Sequence, residues 1–438
     1  MTTQIFCAST LYGAATLAAA VDAGLVRPAD RRILLISNNA AVPEVAPALD
    51  AMPGFEALRD RFDDILSWNA TIAPFHPSGW SPRSEDIPLW ERHLRRLWKL
   101  GDDDVELTVE SIQVNPALAV TGIFMGAAVD VYADGLMSYG PTRIKLDPLL
   151  GTRVRRLLHL DLVPGLKPLL LTEFGVEAEV IPGDAFRRVL GEVGAVSPAP
   201  DVPYSSPALL LGQYLSALEI LTAEEEEDLH LRMLRGATAR GHREIVFKPH
   251  PTAPARWSRL LESEAERLGV ELTVLDAPVL AETLYEQLRP ALVVGCFSTA
   301  LFTARHLYGL DTARTGTGTL LERLTPYQNS NRVPALLAHT LLPELETGRT
   351  RTPGDPGRLV TAIGFTMQPR IYPHLMPAAA AYLTNGVTPN EQQLFSRRKL
   401  TLLGLPGGLP GKLAPLSRNP ALRRAASRAR RLGRTVLR

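Results

Sequence analysis

Short apolar runs alternate with longer amphipathic stretches along most of the chain, the pattern of strands and helices in a parallel α/β fold. Residues 4–8 (QIFCA) predict a first strand, and Ser9-Thr10 offer a cap for a helix running to about Gly24. Residues 32–37 (RILLIS) predict the second strand. That strand–helix–strand spacing implies parallel pairing and sets Ser9 and Thr10 at a carboxyl strand edge. Residues 50–104 read as helical, interrupted by Pro74, Pro77 and Pro82, with Trp68, Trp80, Trp90 and Trp98 as packing residues rather than sugar platforms. Residues 105–113 and 128–133 predict strands, the latter running straight into Asp134-Gly135. Residues 144–171 carry a helical pattern around Pro164 and Pro168, and residues 177–181 close this half with a strand.

Residues 197–207 (SPAPDVPYSSP) hold four prolines and three serines and read as a linker. Beyond it the alternation restarts. Strands are predicted at 208–214, 244–247, 271–275 and 291–295, and helices from 221, at 255–268, 279–288 and 300–308. The acidic run after Thr222 reads as a solvated helix start, with Thr222 as its cap. The strand at 244–247 runs into Lys248-Pro249-His250-Pro251, where two prolines end the sheet and present an imidazole at the carboxyl edge. The strand at 291–295 ends at Cys296-Phe297-Ser298-Thr299. The expected architecture is α/β, with two facing Rossmann-like domains at 1–200 and 201–350. Terminal helices at 351–395 would pack across them, followed by a tail at 396–438.

Composition changes this picture little until the tail. Across 438 residues, 45% are hydrophobic and 21% charged, ordinary for a globular chain, and the net charge is +1. Six of the 47 basic residues are lysine, an arginine bias read first as composition. Cys7 and Cys296 form neither a disulfide framework nor a metal-ligand spacing, which fits a reducing cytoplasm. The apolar start lacks a basic leader and is broken by Ser9, Thr10, Tyr12 and Gly13, so it is not read as a secretory signal. No apolar run reaches membrane-spanning length. Residues 396–438 differ: twelve Lys or Arg and no acid. They predict either a basic helix attaching peripherally to an anionic surface, such as the inner face of a cell membrane, or a frayed arginine-rich tail. No nucleic-acid partner is expected.

Three strand ends carry the candidate chemistry: Asp134-Gly135 in the first half, His250-Pro251 and Ser298-Thr299 in the second. Across a cleft, the carboxylate can take a proton from an acceptor hydroxyl. The histidine, the hydroxyls and the amides of a helix start can stabilise a leaving phosphate, without a metal cluster. The same residues resemble the motifs of bacterial polysialyltransferases and the related capsule and lipooligosaccharide sialyltransferases. Those enzymes carry an acidic motif ending in glycine, an HP motif and a serine–serine/threonine motif. Here these are Tyr132-Ala133-Asp134-Gly135, with Leu136, Ser138 and Tyr139 after it, then Lys248-Pro249-His250-Pro251, then Ser298-Thr299. Ser9-Thr10-Leu11-Tyr12, Gly212-Gln213-Tyr214-Leu215 and Asn331-Arg332-Val333-Pro334 also look similar, and the resemblance spans roughly residues 4–385.

The resemblance implies a GT-B glycosyltransferase. It would move sialic acid, or a related nonulosonic acid, from a CMP-sugar donor to a hydroxyl of a cell-surface glycan, inverting the anomeric centre, with no metal and no cofactor. Asp134 would be the general base. His250 would bind, and could protonate, the donor phosphate, which Ser298 and Thr299 also hold. Lys248, Pro251, Gly135, Ser9 and Thr10 would surround the donor, and Glu282 would sit where related enzymes bind the ribose. One position departs: Ala133 stands where the motif's first acid is expected. Two alternatives remain, a CDP-glycerol-type polymer transferase and a catalytically silent GT-B-like scaffold binding glycan or membrane. Gly295-Cys296-Phe297 before the hydroxyl pair argues against the first, and Ala133 is the support for the second.

Overall fold

Residues 2–8 of the chain are buried almost throughout, because this strand lies at the centre of a sheet with neighbours on both sides. The computed structural model describes residues 1–250, 253 and 256–409. The first sheet comprises β1 (Thr2–Ala8), β2 (Arg31–Ile36), β3 (Asp64–Ser67), β4 (Asp104–Glu110), β5 (Ala128–Ala133), β6 (Val154–Leu160) and β7 (Glu177–Ile181), in the order β3-β2-β1-β4-β5-β6-β7. The second comprises β8 (Ala208–Leu211), β9 (Glu244–Lys248), β10 (Glu271–Val274), β11 (Leu292–Gly295) and β12 (Thr312–Arg314), in the order β10-β9-β8-β11-β12. All pairings are parallel. Strand order reverses between β1 and β4 and again between β8 and β11, so each half has a Rossmann switch point, where ligands sit outside the carboxyl ends. Two such sheets with covering helices are the α/β, GT-B-type architecture that the sequence pattern and the resemblance anticipated.

Residues 144–171 are not the helical stretch their pattern suggested. They contain β6, the sixth strand of the first sheet. Its consecutive Arg155 and Arg156 both reach Asp130, at 2.9 and 3.0 Å, because the β5–β6 register slips between Val129 and Asp130. Arg156 also meets Glu179 on β7 at 2.7 Å. These ion pairs make a polar-looking segment a good inner strand. Strands β3 and β12, also unanticipated, are edge strands of four and three residues. The tryptophans pack as expected: Trp68 touches Trp80 and Trp98 at ring centroid distances of 5.8 and 6.3 Å, and Trp80 meets Trp90 at 4.8 Å.

Both sheets belong to one compact unit, Met1–Arg351, and the remainder forms a second. Within that second unit, helices Pro356–Met367 and Met376–Asn385 pack together, with Arg358 over the ring of Tyr382 at 5.7 Å. Of the basic tail, the described part includes the helix Arg397–Leu403, capped by Ser396. The basic helix expected at 422–438 lies outside the described residues. Among the described residues, no helix is long and apolar enough to cross a membrane.

Candidate active site

The carboxyl edge of the first sheet gathers hydroxyls and carboxylates around its switch point. Thr10 caps the helix Leu11–Asp22 as expected, its Oγ1 accepting the Gly13 N–H at 2.9 Å. Ser9 Oγ donates to Glu110 Oε2 at 2.6 Å, and Glu110 is the last residue of β4. Glu110 lies beside Tyr132 in the β4–β5 register, and Tyr132 donates its hydroxyl to the Cys7 carbonyl at 3.0 Å. Asp134 follows two residues later, half-buried, with a hydrogen bond from Thr10. Glycine at position 13 permits this crowding, since a Cβ there would lie 2.9 Å from the Tyr132 hydroxyl and 3.4 Å from Asp134 Oδ2. Loss of solvent, the charge of Glu110 and, less, that of Glu282 push the Asp134 carboxyl up to about 7, against the opposing hydrogen bond from Thr10. Burial also raises Glu110, opposed by the bond from Ser9.

On the second sheet, β8 lies between β9 and β11, and its following loop ties their ends together. Gly212 N–H donates to the Lys248 carbonyl at 2.9 Å, and Gln213 Oε1 accepts the Phe297 N–H at 3.0 Å. His250 and Ser298 thus share one carboxyl edge, two strand spacings or roughly 10 Å apart. His250 is exposed, its ring 6.1 Å from that of Tyr214. Desolvation by its surroundings, then the charge of Lys248, lower its pKa. Lys248 is buried beneath this loop, its ammonium 3.5 Å from the Pro249 carbonyl, and burial lowers its pKa too. Pro251 lies outside the described residues. Ser298 caps the helix Thr299–Leu307, accepting the Ala300 N–H at 3.3 Å.

The acidic run after Thr222 is only partly the solvated helix start expected. Thr222 and Glu225 form the capping box, but Glu226 is fully buried and accepts the N–H groups of Leu215 and Ser216 at 2.6 and 2.7 Å. It anchors the loop that joins the two strand ends. Glu226→Ala is expected to destabilise the fold by about 2–3 kcal/mol, since two donors lose a charged acceptor, and chemical denaturation would read this.

The two halves touch at the motifs themselves. Leu136 N–H donates to Thr299 Oγ1 at 3.4 Å, and a Cβ on Gly135 would come within 2.9 Å of that oxygen. Tyr12 and Thr303 hydroxyls are 3.0 Å apart. Glu282 is buried in the turn Ala281–Thr283; burial raises its carboxyl to about 7, and its charge is felt by Tyr12, Tyr285 and Asp134. The structure therefore brings Ser9, Thr10, Asp134, Gly135, Ser298 and Thr299 together. Glu282 stands behind them, while His250 and Lys248 lie along the same edge as Ser298. Gly135→Ala is expected to push Thr299 aside and lower kcat/KM by about 10–100-fold with little change in Tm.

Sequence reasoning missed Glu110, and it gave Gln213 and Tyr12 no role in joining the site. Glu110 also lines a small pocket with Cys7, Ser9, Ser37, Trp68 and Asn115, among others. Its signal was available: it ends an alternating strand (VELTVE) at the edge that Ser9 and Asp134 also occupy.

A model of the alpha-2,8-polysialyltransferase family (POLYST) matches residues 4–316. No curated protein sequence matches the chain. Among solved structures, the chain is similar to the GT-B domain of a sialyltransferase from Photobacterium damselae (11% identity, 77% of this chain and 96% of that one, TM-score 0.38). It is also similar to a glycosyltransferase from Rickettsia africae (11% identity, 89% and 95%, TM-score 0.39) and to MurG from Acinetobacter baumannii (12% identity, 90% and 97%, TM-score 0.39).

Proposed function

The chain belongs to the alpha-2,8-polysialyltransferase family and is a glycosyltransferase, and from that premise we propose that it transfers sialic acid, or a related nonulosonic acid, from a CMP-sugar to a glycan hydroxyl with inversion. The observation that carries this reading is Asp134, a carboxylate held near neutral pKa on one sheet edge, beside the hydroxyl-capped helix start of the other. The acceptor hydroxyl attacks the anomeric carbon and gives its proton to Asp134, while the bond from that carbon to the phosphate oxygen breaks and CMP departs. Ser298, Thr299, the amides that open their helix and His250 receive the phosphate charge, so the proposed mechanism uses no metal and no cofactor. A base pKa close to the working pH suits the step, because the carboxylate is then both populated and basic enough.

The strand edge around Ser9 and Glu110 is proposed as the acceptor side. Lys248, Pro251, Gly135, Thr10 and Glu282 belong to the proposed donor surroundings. A cytoplasmic enzyme held at the inner membrane face by its basic tail completes the reading. The test is CMP release from CMP-sialic acid across a panel of glycan acceptors, with mass spectrometry of the products. Acceptor-dependent CMP release with a matching mass increment supports transfer. CMP binding without turnover on any acceptor would favour the silent scaffold, the reading to which Ala133 points.

A further inference from the structure

We propose that Glu110 is the second carboxylate of the acidic pair, supplied from a neighbouring strand in place of the acid absent at Ala133, and that it acts as a positioning residue through the charge of Asp134. Ala133 ends β5 and is nearly buried, its strand partner on β6 being His159. A carboxylate there would be next to Asp134 in sequence and on the opposite face of the strand. Glu110 solves the geometry differently. It pairs in register with Tyr132, on the same face of the sheet, and the Tyr132 hydroxyl and Asp134 Oδ2 both close on Gly13, 2.9 and 3.4 Å from where its Cβ would lie, so Glu110, Tyr132 and Asp134 gather on one side. Ser9 holds one of its oxygens at 2.6 Å, and Tyr132 is fixed by the Cys7 carbonyl, so neither neighbour is free to swing away.

The groups facing Asp134 come from four elements. Glu110 comes from β4, Thr10 and Tyr12 from the start of the helix Leu11–Asp22, Tyr132 from its own strand, and Glu282 from the second half. Both tyrosines are held in their neutral form by burial first and by the nearby carboxylates second, so neither offers Asp134 a compensating charge. Of the carboxylates, Glu110 acts on Asp134 more strongly than Glu282 does. Two like charges gathered on one side hold protons as a pair, so removing one charge makes the other easier to ionise.

This inference rests on the proposed role of Asp134 as base, and its test separates the two. Full-length protein labelled with carboxyl-13C aspartate is titrated by NMR, the Asp134 signal being identified by its loss in Asp134→Asn. Glu110→Gln keeps a carbonyl oxygen for Ser9 and removes the charge. It is expected to lower the Asp134 midpoint by roughly one pH unit, whereas Glu110→Asp, which keeps the charge, leaves it close to that of the native protein. The acid limb of kcat/KM should move with it in Glu110→Gln. An unmoved Asp134 midpoint in folded Glu110→Gln overturns the pairing, whatever the activity does. A midpoint that moves while the acid limb stays put upholds the pairing and removes Asp134 as the base.

Discussion

Asp134→Asn is expected to lower turnover by about 10²–10⁴-fold, the contribution of a positioned general base. Asparagine keeps the size of the side chain and can still accept the Thr10 hydrogen bond, so the loop and the donor site should persist. What is lost is the ability to take the acceptor proton. Donor binding, measured by calorimetry, should therefore survive while CMP release falls. In the native enzyme the carboxyl is pushed up to about 7, so the active base form is depleted below that pH and gained above it. The expected profile of kcat/KM rises with pH through about 7, and Asp134→Asn should erase that rise along with the rate. Equal rates in the two proteins would remove Asp134 from the chemistry.

The order of strands and helices was legible because buried parallel strands announce themselves as continuous apolar runs, as in β8 (ALLL) and β11 (LVVG). The misreading fell where polar residues occupy an inner strand. The pair Arg155-Arg156 looks like the wet face of a helix until Asp130, Glu106 and Glu179 are seen around it. The short edges β3 and β12 are too brief to show any period. The same division holds at the site. Asp134, His250 and Ser298 could be picked out because each lies within three residues of a strand's carboxyl end, a local feature. Glu110, Gln213 and Tyr12 could not be joined to them, because their roles depend on which strands become neighbours. Glu110 matters only once β4 lies between β1 and β5, and Gln213 only once β8 lies between β9 and β11.

That neighbourhood also explains why the two halves of the site differ in character. On the first sheet, burial raises both Glu110 and Asp134, and the charge of Glu110 raises Asp134 further, which favours taking up a proton there. On the second, desolvation and then the charge of Lys248 lower the pKa of His250, and that positive charge also attracts an arriving anion. A proton moving from acceptor to Asp134, while negative charge builds on the phosphate opposite, lets both sides relax together.

His250→Ala is the sharpest test of the phosphate side. The imidazole is exposed at a strand end rather than packed in the core, so its removal should leave the fold intact. Turnover is expected to fall by about 10²–10³-fold, the usual effect of deleting one donor to a developing oxyanion. Before a donor binds, the pKa of His250 lies below its ordinary value through desolvation and the Lys248 charge, and a bound phosphate must raise it, because it favours the imidazolium. Binding is then linked to proton uptake, strengthening as pH falls through the bound-state pKa and weakening above it. A CMP-sugar titrated into Asp134→Asn, where slow turnover permits the measurement, should show this dependence. The diester phosphate does not itself titrate in that range, so the slope belongs to the protein. The double variant Asp134→Asn/His250→Ala should bind the donor more weakly and without that slope. A pH-independent affinity with His250 present, or full activity in His250→Ala alone, would take the phosphate away from this loop and leave Ser298, Thr299 and the helix start to hold it.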